Sequence, residues 1–133
     1  MTENEKQQER IAYWLDLAQY DLDTADALLA SGRLLYVGFM CHQVIEKVLK
    51  SCYVKLRNET PPYSHNLSLL ATECGLLDCF SEDQKKFISL IQPMNIESRY
   101  PTYKDKILQT LDDALCGEIL KQTKEMCQWL RNR

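Results

Sequence analysis

Two stretches of this chain hold side chains that chemistry would use. In the first, His42-Gln43-Val44-Ile45-Glu46-Lys47-Val48-Leu49-Lys50, ionisable residues interleave with apolar ones. His42, Glu46 and Lys50 recur four apart and so share one stripe of a helix, while Gln43 and Lys47 line its edge. Such a row is either a site or a solvated flank. His42 and Glu46 can hydrogen-bond along the helix, although a histidine beside an apolar face commonly has a structural role. The second stretch is Glu97-Ser98-Arg99-Tyr100-Pro101. Pro101 pushes Tyr100 toward an extended conformation, so Arg99 and Tyr100 project from a defined turn. The guanidinium suits bidentate phosphate recognition, and the phenol can stack on a base or donate a hydrogen bond. Arg99 suits a structural tie to Asp21 equally well.

Two further residues are candidates for orienting or bracing these groups. Asp21 lies at the edge of an apolar stripe, where a carboxylate must reach water or find a cation from another helix. His65 follows the Pro61-Pro62 break and can brace the start of the next helix. The two histidines lack the acidic partners of a metal-binding pattern, so no metal is expected. No cofactor is expected either.

The elements that must position these residues read as helices throughout. Few Gly and Pro occur, and β-branched runs are absent. Ile11, Trp14, Leu15, Ala18, Leu22, Ala25, Leu28 and Leu29 make an inward stripe for a first helix over roughly residues 4–31, closed at Gly32. A second helix over about 34–57 carries Leu34, Val37, Gly38, Cys41, Val44, Ile45, Val48, Cys52 and Leu56 on its core face, and Pro61-Pro62 ends the pattern. Ser64 is the expected N-cap of a short third helix closed by Gly75. Ser81-Glu82-Asp83-Gln84 matches a capping box ahead of Phe87, Ile88, Ile91 and Met94. A last helix runs from Ile107 nearly to the C-terminus. Three long helices, two short ones and brief connections predict an all-α, up-down bundle of four to five helices in one domain over residues 1–133.

Composition narrows the function. The net charge of −3 argues against a whole-surface affinity for nucleic acid, leaving only local basic clusters. No apolar run is long enough to span a membrane, and the polar N-terminus is unlike a signal peptide, so a cytoplasmic location is expected. Six cysteines form no C-x-x-C pair, and their apolar neighbours suit structural thiols.

Taken in order, these pieces resemble the HEPN family (higher eukaryotes and prokaryotes nucleotide-binding domain). The resemblance is carried by Trp14-Leu15 and Ala18, Tyr20-Asp21-Leu22 and Ala25, the Gly32 turn, Phe39, and His42-Gln43-x-x-Glu46-Lys47-x-x-Lys50. Pro61-Pro62-x-x-His65-x-Leu67 and Arg99-Tyr100-Pro101 complete it. It implies a helical bundle, commonly a homodimer, with a groove for nucleotide or RNA. It also implies a nucleotidyltransferase-type partner protein, in some cases within a toxin–antitoxin pair. Arg99, Tyr100, Lys47 and Lys50 would line that groove, with Asp21, His42, Glu46 and His65 orienting them. Many family members are instead metal-independent ribonucleases with an arginine followed four to six residues later by a histidine. Here Tyr103-Lys104-Asp105-Lys106 occupies that interval, and no histidine follows. The sequence therefore points to a binding module. The alternative is a metal-independent ribonuclease with non-standard acid/base groups, in which Arg99 stabilises charge and His42 or His65 moves the proton.

Overall fold

A computed structural model describes residues 1–97 and 111–133; Arg99, Tyr100 and the remainder of 98–110 lie outside the described residues. The described elements are all helical: α1 (Glu3–Ala30), α2 (Val37–Arg57), α3 (Leu67–Glu73), α4 (Glu82–Ile91), α5 (Met94–Glu97) and α6 (Asp113–Arg131). Single 3-10 turns lie at Leu34–Tyr36 and Leu77–Cys79.

Start and stop signals in the sequence account for most of these boundaries. Thr2 caps α1 through the Glu5 N–H, and Gly32 follows it with φ +75°. Asn58 ends α2 in the left-handed region (φ 53°), a conformation asparagine tolerates better than most residues. Ser81 and Gln84 form both arms of the capping box on α4.

Four boundaries differ from expectation, each for a local reason. Residues 34–36 form a 3-10 turn rather than the start of α2. The third helix is capped by Asn66, whose Oδ1 accepts from the Leu69 N–H at 3.0 Å. Ser64 instead accepts from the Asn66 N–H at 3.1 Å, a turn leading into the cap. Pro93 cannot donate to an i−4 carbonyl, so the fourth pattern splits, with α4 ending at Ile91 and α5 beginning at Met94. Finally, Asp112 caps α6, accepting from the Leu115 N–H at 2.7 Å, and leaves Leu111 buried just ahead of the helix.

The bundle is built around α2. Thirteen of its 21 residues are buried, more than one face of a helix can hold, so its neighbours enclose it on most sides. Those neighbours are chiefly α1 and α6, with α3 and α5 completing the enclosure. Val44, Ile45, Val48, Leu49 and Val54 are fully buried at its centre. By contrast, α1 is fully packed only at Ala18, Asp21 and Ala25, and Ile11, Trp14, Leu15, Leu22, Leu28 and Leu29 are half-buried. Leu56, expected on the core face, is exposed at the far end of α2. Gly38 admits α5: a Cβ there would run into the thioether of Met94.

Cys41, Cys74, Cys116 and Cys127 are buried free thiols, Cys52 is half-buried and Cys79 is exposed. The six therefore do not share one structural role, since Cys79 fills no core space. Burial pushes the Cys41 thiol up to about 11 and Cys74 to about 12 from an ordinary 9.0. No helix among the described residues is long and apolar enough to cross a membrane.

Gly38→Leu should lower stability by about 1–3 kcal/mol through overpacking against Met94, read as an earlier urea midpoint. The raised thiol pKa values mean that the folded chain keeps protons which the unfolded chain releases above about pH 9. Stability present below pH 9 should fall as pH rises toward 11–12, and Cys41→Ala with Cys74→Ala should flatten that decline in denaturation curves.

Candidate functional site

The polar stripe of α2 is neither solvated nor idle. Enclosure of α2 takes His42, Glu46 and Lys50 out of water, at 0%, 3% and 6% exposure. A carboxylate this deep requires compensation from all sides. Glu46 Oε2 accepts from Lys50 Nζ at 3.2 Å, one turn along the same helix. Its other oxygen, Oε1, accepts from His65 Nδ1 at 2.7 Å, across from the loop that follows Pro61-Pro62. Lys50 is covered in turn by Trp14 of α1, with the ammonium 5.4 Å from the ring centroid, where the aromatic face adds cation–π attraction.

His65 is held at both its ring and its backbone. Its carbonyl accepts from His42 Nε2 at 2.9 Å and from Gln92 Nε2 at 3.1 Å. Gln92 Oε1 accepts from the Leu67 N–H at 2.7 Å, which joins the start of α3 to the end of α4. Because a carbonyl can only accept, the His42 ring carries its proton on Nε2. Its Nδ1 then faces the Gln43 amide at 3.4 Å, with Glu46 Oε1 beyond at 3.9 Å. Gln43 also donates to Oδ1 of buried Asn95 in α5 at 3.1 Å.

His65 itself is only half-buried, with 42% of its side chain exposed. Tyr63 packs edge-on to it, with ring centroids 5.9 Å apart, and is almost wholly exposed. At the other end of the network Tyr13 packs edge-on to Trp14 at 5.5 Å and is 60% exposed. The result is a largely buried hydrogen-bonded ion network with aromatic rings at both ends. Nδ1 donates to the carboxylate, so whenever the His65 ring carries a single proton its lone pair lies on Nε2. This is the arrangement in which a carboxylate fixes the tautomer and orientation of an imidazole base.

The structure thus gathers His42, Glu46, Lys50 and His65 into one network. Lys47 sits beside it, paired with Asp21 of α1 in a half-buried ion pair. Asp21 consequently takes its cation from α2. Lys50, read from sequence as a groove-lining cation, is used within the protein: burial commits its ammonium to Glu46 and Trp14. Arg99 and Tyr100 lie outside the described residues. Sequence reasoning missed Gln92 and Asn95, which only folding brings to the His65–Leu67 segment and to α2 respectively, and placed Trp14 solely in the core. The aromatics flanking the network in space, Trp14 and Tyr63, are far apart in sequence and gave no linear signal. Among the described residues no three His, Cys, Asp or Glu side chains gather as metal ligands would.

The described residues form a helical bundle threaded by a buried Glu–Lys–His network. The HEPN domain family model matches residues 11–133, so the chain belongs to the HEPN domain family. Its fold is similar to that in the crystal structure of TT1696 from Thermus thermophilus, with a TM-score of 0.78 and 18% sequence identity over 92% of this chain and 97% of that one. A search of the curated proteins found no match.

Removing the central carboxylate tests the network. Glu46→Ala leaves the Lys50 ammonium buried without its partner and should cost about 3–5 kcal/mol in urea denaturation. Glu46→Gln combined with Lys50→Met, which leaves no unpaired charge, should recover part of that loss. Equal midpoints for wild type and Glu46→Ala would show that the network does not support the fold.

Proposed function

We propose that the chain is a nucleotide- or RNA-binding helical module that forms a homodimer and acts with a nucleotidyltransferase-type partner protein, as in a toxin–antitoxin pair. The observation that carries the binding part is the set of rings around the buried network: Tyr13 and Trp14 beside Lys50, and Tyr63 beside His65. Of these, Tyr13 and Tyr63 are exposed and Trp14 is half-buried; exposed aromatic rings are stacking surfaces for unpaired bases, whatever the base. Arg99 and Tyr100 supply the phosphate contacts in this reading, since Lys47 is paired with Asp21. The homodimer and the partner protein rest on membership of the family.

Fluorescein-labelled single-stranded RNA and labelled ATP, titrated with the purified protein and followed by anisotropy, test the binding. Arg99→Ala, Trp14→Ala and Tyr63→Ala should each weaken it by about tenfold, equivalent to about 1.4 kcal/mol. Light scattering should give twice the mass of the chain. Absence of saturable binding to either probe, or three variants with wild-type affinity, would remove the nucleotide reading.

The Glu46–His65 pair favours a second reading, a metal-independent endoribonuclease. Here His65 rather than His42 is the proton carrier, because His42 is fully buried and its Nε2 is committed to a carbonyl. Cleavage of RNA in the presence of EDTA, lost in both Arg99→Ala and His65→Ala, is its signature. RNA left intact by the wild-type protein sinks it.

A further inference from the structure

On the side of the bundle formed by α4 and α6 runs an open groove of about 660 Å³. Leu90 of α4 and Trp129 of α6 are its accessible apolar lining, over a floor made by the buried side chains of Phe87 and Met126. Leu90 remains 41% exposed, and Trp129 is half-buried, braced edge-on by Phe80 at 5.5 Å. Along the rim stand Asp83, Glu118 and Glu125, against the single ammonium of Lys86. None of these residues takes part in the Glu46 network.

We infer that this groove docks a short cationic amphipathic helix from a partner protein. The argument rests on shape and on charge. The ten residues of α4 give the groove a length of roughly 15 Å, enough for about three helical turns laid alongside. An apolar strip between two polar edges receives a helix through side chains at i, i+3, i+4 and i+7. Three carboxylates outnumber Lys86 and the Arg133 guanidinium, which stacks on the Trp129 ring 3.9 Å from its centroid, so the rim keeps an acidic excess that favours lysine or arginine on the flanks of the incoming helix and repels nucleic acid. The same charge disfavours a second copy of this chain, because a two-fold axis through the groove would set like-charged rims face to face. Nor is the lining that of a small-molecule site: Gln84 is taken up by the capping box, and Gln122 donates to Glu118 at 3.1 Å.

The probe is a fluorescein-labelled helical peptide of about 14 residues, with leucines at i, i+3, i+4 and i+7 and lysines elsewhere. Its counterpart carries glutamate in place of every lysine. Anisotropy should show saturable binding of the lysine peptide alone, weakening as salt rises. Glu118→Lys combined with Glu125→Lys, and separately Leu90→Asp, should each lower the affinity by about tenfold, with circular dichroism showing that both variants fold. No binding, equal binding of the two peptides, or variants that bind as tightly as wild type would overturn the proposal. So would light scattering in which Leu90→Asp splits a dimer of this chain, since the groove would then be covered by a second copy.

Discussion

One carboxylate, Glu46, organises more of this bundle than any apolar contact. It is carried on the most enclosed helix, so it has no route to water, and an ionised group in that position is tolerated only if each oxygen finds a donor. One donor, Lys50, comes from the next turn of the same helix and is sealed by Trp14 of α1. The other, His65, comes from the loop beyond Pro61-Pro62 and is locked by His42 and Gln92. Three separate parts of the chain thus meet at a single charge. The network fixes where the loop and the start of α3 lie, a task that a purely apolar interface would perform less specifically.

The buried network and the acidic groove draw on different side chains. The network and its flanking rings lie where α1, α2 and the Pro61-Pro62 loop converge. The acidic groove is formed by α4 and α6 and shares no residue with it. A bundle of this size can carry both because α2, with eight of the 25 buried apolar residues among those described, contributes more to the core than any other single helix, and the outer faces of its neighbours are left free. The half-buried stripe of α1 has the same origin: a helix of 28 residues, about 42 Å long, outruns the partners that could cover it.

Much of this fold can be read in the chain, and the reasons for the rest are specific. Helical periodicity gave the long helices, Gly32 marked the end of the first, and the Ser81–Gln84 box and Gly75 marked limits of the short ones. The family can be read from the His42-to-Lys50 row and the His65 segment. Burial of that row could not be read, because periodicity reports the apolar face of one helix and not how many neighbours surround it. Asp21 and Lys47 sit 26 positions apart, so their pairing depends on how α1 and α2 pack. Gln92 and Asn95 look like ordinary polar residues around Pro93, and only the meeting of this segment with α2 and the start of α3 gives them partners.

The shared dependence on Glu46 also constrains how this protein can diverge. If the carboxylate is replaced, Lys50 loses its reason for burial and His65 its ring partner, and the carboxylate cannot remain without a donor at each oxygen. Single substitutions at any of the three therefore pass through an unstable intermediate, whereas the outer surface of α1 can drift one residue at a time. Across descendants of this chain, Glu46, Lys50 and His65 are expected to be inherited as a unit or exchanged together for an apolar set.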